Sequence, residues 1–306
     1  MSASNGNQMA VNLGPLALKN PVLVAAGTFG YGLEFREFFD VSVLGGIVTK
    51  TLTLKPREGN PAPRVVETPS GMLNAVGLQN VGVDEFLKLK WPELAALNVP
   101  VIVSIAGFSE AEFVAAAERF AGVAVAALEL NLSCPNVAHG GDTRFFAQSA
   151  EQTAAAVRAV KRVAKVPIFA KLSAEVADLP TIAKAAVDAG ADVLTLINTI
   201  AGMAIDVDQE TPVLANRTGG LSGPAIRPIA VRCIWEVRQA LKTPILGLGG
   251  VASGRDALEM ILAGAHAVAV GTANFWNPRA PKIVLDELTA LVTKKNKPIR
   301  DLIGIC

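Results

Sequence analysis

Eight short apolar runs recur between residues 21 and 270, and all but the first are followed by a stretch of helical periodicity. The runs are Pro21–Ala26, Gly46–Lys50, Val101–Ile105, Ala126–Asn131, Pro167–Leu172, Asp192–Ile197, Pro244–Gly249 and Ala265–Val270. Each is too short for a helix and nearly continuous in Val, Ile, Leu and Ala, as expected of strands covered on both faces. Pro21, Pro167 and Pro244 open three of them and Pro100 precedes a fourth, positions where a strand tolerates proline. Helical patterns lie at 84–97, 109–121, 148–164, 180–189, 224–240, 254–263 and 279–293. Ser109-Glu-Ala-Glu112 reads as a capped helix start with acids in its first turn. Ala189-Gly190 and Ala263-Gly264 read as helix ends. Eight such strands, seven of them followed by a helical pattern, predict a (β/α)8 TIM barrel, residues 1–306 forming a single domain. The rival is a doubly wound sheet, whose glycine-rich turn follows the first strand. Here such turns follow the seventh and eighth runs.

Two connections are too long for plain βα loops. They cover 51–80, with Pro56, Pro61, Pro63 and Pro69, and 198–223. Long loops at the C-terminal face of a barrel carry function, and each is expected to place short antiparallel strands over the mouth. The hydrophobic share of 51% contains no apolar stretch of the roughly 18 residues that a membrane span needs. The 28 basic and 27 acidic residues leave a net charge of +1 with no basic stripe, so neither nucleic acid nor a lipid surface is implied. Met1–Gln8 has no charged segment leading into an apolar one, so no secretory signal is expected. Three scattered cysteines, Cys134, Cys233 and Cys306, suit a reducing cytoplasmic setting and no disulfide framework.

In a barrel of this kind ligands bind at the C-terminal strand ends. Those ends collect Ala26-Gly27-Thr28, Thr49-Lys50-Thr51, Ser104, Asn131 with Cys134, Lys171, Asn198-Thr199, Gly249-Gly250 and Gly271-Thr272. The set holds two lysines and a thiol but no carboxylate pair and no histidine. Gly247–Ser253 opens the seventh helix and Val270–Ala273 follows the eighth strand. Glycines there let backbone N–H groups approach an anion at a helix N-terminus, which implies a phosphorylated substrate or a mononucleotide cofactor. The alternative is that they serve tight turns alone. Lys50 and Lys171 end apolar strands and are suited to an anionic substrate or a developing negative charge, unless they snorkel to solvent. Cys134 has Asn131, Ser133 and Asn136 around it, polar company that suits an acid/base or nucleophilic thiol better than a packing one. No second Cys or His lies at metal-ligand spacing from it. Cys233 reads as core, His139 as loop, His266 as structural, and Arg57, Arg64 and Arg217 carry no assignment.

Linked motifs now identify a family. They are Gly71-Met-Leu-Asn-Ala-Val-Gly-Leu-Gln-Asn80, Glu129-Leu-Asn-Leu-Ser-Cys-Pro-Asn136, Ile197-Asn-Thr199, Leu214-Ala-Asn-Arg-Thr-Gly-Gly-Leu-Ser-Gly-Pro-Ala225 and Ala269-Val-Gly-Thr-Ala-Asn-Phe275. The chain resembles the catalytic subunit of class 1 dihydroorotate dehydrogenases, and Gln79 with the Arg217-Thr-Gly-Gly loop resembles the NAD-linked class 1B branch. The resemblance implies oxidation of dihydroorotate to orotate in pyrimidine biosynthesis, with Cys134 removing the C5 proton and hydride passing from C6 to FMN. It implies substrate contacts from Lys50, Asn74, Ala75, Val76, Gly77, Leu78, Asn131, Asn136, Asn198 and Thr199. It implies FMN contacts from Ala26, Lys50, Thr51, Ser104, Asn131, Lys171, Ile197, Gly223, Gly249, Gly250, Gly271 and Thr272. Ser104 stands where Asn is common and Ala26 where Ser is common, so Ala26 contributes only backbone. Gly140-Gly141 suits a loop that closes over substrate.

The chain carries no Gly-x-Gly-x-x-Gly fingerprint after an early strand, and three scattered cysteines cannot hold an iron–sulfur cluster. Passing electrons to NAD+ therefore calls for another subunit. The resemblance supplies one with FAD and a [2Fe-2S] cluster, in a heterotetramer built on a homodimer. Alternatives remain at this level: a fumarate-linked class 1A-like oxidase, a dihydropyrimidine dehydrogenase-like enzyme, or a flavin-free barrel that binds a phosphorylated ligand.

Overall fold

The computed structural model describes residues 7–133 and 146–306. All eight apolar runs become strands of one closed barrel. They are β1 (Val22–Val24), β2 (Gly46–Val48), β3 (Val101–Ile105), β4 (Ala127–Asn131), β5 (Ile168–Leu172), β6 (Val193–Leu196), β7 (Ile245–Leu248) and β8 (Ala267–Val270). Each pairs in parallel with its neighbours in sequence, and β8 pairs with β1 to close the ring. The doubly wound alternative is thereby excluded, since an open sheet keeps two edges. Strand burial is almost complete, because helices cover the outer face while side chains fill the inside.

The outer ring follows the helical patterns with local departures. Glu110–Glu118, Ala150–Val163, Leu179–Asp188, Arg227–Ala240, Gly254–Ala263 and Ala280–Lys295 are α-helices. Ser109 caps the first, its hydroxyl accepting from Glu112 N at 3.2 Å. Gly264 ends the helix before β8 at φ 132°, a conformation that disfavours a side chain. The helix expected over 84–97 is broken into Val83–Glu85, a π-type turn at Phe86–Lys90, and Trp91–Ala95. Pro92 has no N–H to give to the preceding turn, which accounts for the interruption. After β1 the chain makes only the 3-10 turns Leu33–Glu37 and Val41–Val43, in keeping with the missing helical pattern there.

Two features lay outside the sequence reading. A hairpin, Val11–Leu13 with Leu16–Leu18, lies under the barrel floor, where a Cβ on Gly14 would come within 2.9 Å of Val193 at the start of β6. The two long connections also join in one antiparallel sheet, in the order 200–203, 218–222, 71–74, 65–68. Leu221 lies opposite Leu73, which in turn lies opposite Val66. Leu73, Ala75 and Leu214 form a small core of their own behind this sheet. The expected antiparallel strands over the mouth are thus present, joined in a shared roof.

Candidate active site

The barrel mouth and this roof enclose a cavity of about 1120 Å³ of empty space, including its opening. Strand ends form the floor and Val65, Met72, Asn74 and Ser222 come from the roof. Of the residues expected to meet substrate, Lys50, Asn74, Val76, Gly77, Leu78, Asn131, Asn198 and Thr199 line it. Of those expected to meet the cofactor, Ala26, Thr51, Lys171, Ile197, Gly223, Gly249, Gly250, Gly271 and Thr272 line it as well. Two expected residues do not. Ala75 is buried in the small core behind the sheet, because strand alternation turns it away from Asn74. Ser104 is fully buried beneath Thr51, with the two hydroxyls 2.9 Å apart, so it acts on the cavity only through that threonine. Cys134, Asn136, His139 and Gly140-Gly141 lie outside the described residues.

A polar chain fixes the floor. Asn131 Nδ2 donates to Thr51 Oγ1 at 3.2 Å, and Asn198 Nδ2 reaches Asn131 Oδ1 at 3.4 Å. Asn198 Nδ2 also donates to Ser133 O at 2.8 Å and lies 3.0 Å from Ser133 Oγ. Its Oδ1 accepts from Thr199 N at 2.8 Å. Asn198 therefore braces the approach to the segment carrying Cys134, a role that its place in the motif did not reveal. Each amide is held in one orientation, and a ligand meets groups that are already aimed.

Two cations face the cavity from different depths. Lys171 is 5% exposed, and its ammonium has no hydrogen-bond or ion-pair partner among the described residues. Lys50 lies nearer the roof; burial, and then the charge of Arg64, hold its pKa below the usual lysine value. Arg64, left unassigned from sequence, donates to Gln79 Oε1 at 2.8 Å and so fixes another cavity residue. The fold alone brings Arg64 near Lys50, because they belong to different segments.

The glycine loops fit an anion in one respect and depart in another. A Cβ on Gly27 would meet nothing within 4 Å, and one on Gly271 only Ala25 at 3.7 Å, so both glycines face open space. Gly250 is packed from behind: its Cβ would lie 2.8 Å from both Arg227 Cβ and Gly223 O. The N-terminus of helix Gly254–Ala263 is occupied, however. Gly254 N donates to Glu287, Ala252 N to Asp256 and Asp256 N to Ser253. Protein oxygens already satisfy these groups, which leaves the loops 249–250 and 271–272 as the expected place for an anion. Asp256 also pairs with Arg227 behind Gly250. His266 is structural as expected, its Nδ1 accepting from Ile245 N at 3.2 Å. Cys233 is core.

A closed parallel barrel whose mouth gathers polar side chains, two lysines and the glycine loops after its last two strands has the architecture of a ligand-binding barrel enzyme. The family model for dihydroorotate dehydrogenase matches residues 8–292. The chain is 52% identical over 297 residues to a protein of Desulforudis audaxviator named dihydroorotate dehydrogenase B (NAD(+)), catalytic subunit, covering 96% of each. It is 50% identical over 298 residues to the like-named protein of Citrifermentans bemidjiense, covering 97% of each. For that of Anoxybacillus flavithermus the identity is 52% over 287 residues, 94% of this chain and 91% of the relative. The chain belongs to the dihydroorotate dehydrogenase family.

Proposed function

We propose that this chain oxidises dihydroorotate to orotate in pyrimidine synthesis, as the catalytic subunit of an NAD-linked enzyme. The observation that carries this reading is one cavity lined by Lys50, Asn74, Asn131, Lys171, Asn198 and both glycine loops, in a chain about half identical to relatives named for that reaction. The donor set fits FMN. Open space over Gly27 and Gly271 suits close approach of a phosphate, and the unpartnered Lys171 ammonium suits an electron-rich ring edge. When bound, FMN supplies the hydride acceptor that no side chain can provide.

The residues themselves do the rest. Lys50 receives the substrate carboxylate. Asn74 and Asn131 offer amides that donate and accept, matching the amide edges of a dihydropyrimidine. Thr51 and Ser104 hold Asn131 in register. Cys134, entered from the segment that Asn198 braces, takes the C5 proton as its thiolate, and Asn136 stands beside it in sequence. A free thiol titrates near about 8.5, so turnover rises with pH up to that region. The sheet of 65–74 and 200–222 excludes water from above.

Electron exit to NAD+ passes through a second subunit carrying FAD and a [2Fe-2S] cluster, in a heterotetramer. Among the described residues no cluster of His, Cys, Asp or Glu is suited to a metal. Phe275, which lines the cavity, and the adjacent Trp276 are 56% and 55% exposed and suit cover by such a partner. No helix among the described residues is long and apolar enough to cross a membrane.

The test is the visible spectrum. The purified chain is expected to be yellow, and dihydroorotate, but not dihydrouracil, to bleach it. Cys134→Ala keeps the colour and loses nearly all bleaching, whereas Cys134→Ser bleaches slowly. A colourless chain that takes up no FMN refutes the reading. Bleaching by Cys134→Ala at the wild-type rate refutes the base.

A further inference from the structure

One charged side chain inside the barrel has no place in the reaction above. Glu129 lies on β4 two residues before Asn131, so alternation puts both on the inner face. It is 1% exposed, and its Oε1 has no hydrogen-bond partner. Its register neighbours are Ser104 on β3 and Phe169 on β5. The Ser104 hydroxyl is engaged with Thr51, and a phenyl ring offers no donor. The next inward residue of β5 is Lys171, opposite Asn131. Beside Lys171 on β6 is Thr195, which is 1% exposed and whose Oγ1 is likewise buried and unpartnered.

A buried carboxylate with an unsatisfied oxygen is costly, and an opposite charge nearby offsets that cost. The barrel register supplies the charge: Lys171 sits one inward step above Glu129 on the adjoining strand. In so dry an interior the two act on one another beyond contact distance. Lys171 for its part opens onto the cavity with no hydrogen-bond or ion-pair partner among the described residues, so Glu129 is the anion that offsets its charge from below.

We infer that Glu129 is a positioning residue for the redox reaction: its carboxylate, one inward step below Lys171, offsets the Lys171 charge beneath the flavin and so sets the flavin's reduction potential. The inference rests on FMN binding in this cavity. Reduction adds negative charge there. Lys171 favours that change, and Glu129 opposes it by offsetting Lys171.

The experiment is a redox titration of the flavin-loaded protein, independent of turnover. Glu129→Gln keeps shape and removes charge, and is expected to shift the equilibrium at least tenfold toward reduced flavin, roughly +30 mV for a two-electron couple. Glu129→Asp keeps the charge, so its potential stays within about threefold of wild type although packing is loosened. An unchanged or lowered potential in Glu129→Gln overturns the inference, as does an equal shift in Glu129→Asp. Should Glu129→Gln fail to fold, Glu129→Met, of similar length and without charge, is the second variant, with the same rise in potential expected. An unchanged or lowered potential in Glu129→Met overturns the assignment. An unshifted potential leaves FMN binding standing, whereas a wild type that binds no flavin overturns both readings.

Discussion

Gly271→Ala separates ligand binding from folding. Gly271 follows β8, does not have positive φ, and offers a Cβ only one neighbour, Ala25 at 3.7 Å. The added methyl therefore strains no backbone and strikes no protein atom. Unfolding of the ligand-free protein should change by no more than about 0.5 kcal/mol, with a small gain from the stiffer unfolded chain. If the open space over Gly271 holds the phosphate of FMN, the same methyl occupies ligand volume. Overpacking of that size costs about 1–3 kcal/mol, which weakens binding by roughly 5- to 150-fold. Gly250→Ala is the control with the opposite profile. At φ 85°, with Arg227 Cβ and Gly223 O each 2.8 Å from its Cβ, it should destabilise the ligand-free protein by about 1–3 kcal/mol. Thermal unfolding without ligand and fluorescence titration with FMN give both numbers for both variants. Wild-type flavin affinity in Gly271→Ala would refute the placement of the phosphate between the two loops. A large loss of stability in that variant would refute the claim that the space is open.

Other outcomes follow from the same geometry. Burial, then the Arg238 charge, lowers the His266 pKa from 6.5 to about 4; the unfolded chain binds the proton first, so this stabilisation is complete above about pH 6.5 and is lost as pH falls toward 4. It amounts to about 2 kcal/mol after allowance for partial exposure, and urea unfolding of His266→Gln should lose that part of the pH dependence; an unchanged slope refutes it. Thr51→Val strands the buried Ser104 hydroxyl and frees Asn131, costing about 1–3 kcal/mol in urea unfolding; a neutral result means that the Thr51 bonds contribute nothing net. Because Lys50 is depressed below the usual lysine pKa, substrate affinity should fall on the alkaline side earlier than for an ordinary lysine, and Lys50→Gln should lose affinity at neutral pH. Equal binding curves against pH for wild type and Lys50→Gln, measured on the flavin-loaded protein, would remove Lys50 from the carboxylate site.

Local pattern made the barrel legible. Continuous apolar runs between helical patterns leave few ways to bury both faces of eight strands, and all eight runs appear in order around the ring. The strand ends then had to meet at one mouth, which is why Lys50, Asn131, Lys171, Asn198 and the glycine loops were predictable as a set. The misses have local causes too. Pro92 interrupts a pattern that periodicity alone reads as continuous. Ala75 was carried along with its motif, but strand alternation buries it away from the ligand side. The helix after β7 looked free to bind an anion because Glu287, which caps it, lies 33 residues away in the chain.

By itself, then, the sequence determined which segments are strands, which ends carry polar groups, and that one thiol stands among amides. These depend on residues a few positions apart. Only the tertiary structure joined 65–74 to 200–222 as one roof, brought Arg64 beside Lys50, hid Ser104 under Thr51, and set Glu129 one step beneath Lys171. Those relations are set by strand register and ring closure, which couple residues far apart in the chain and leave no periodic trace within it.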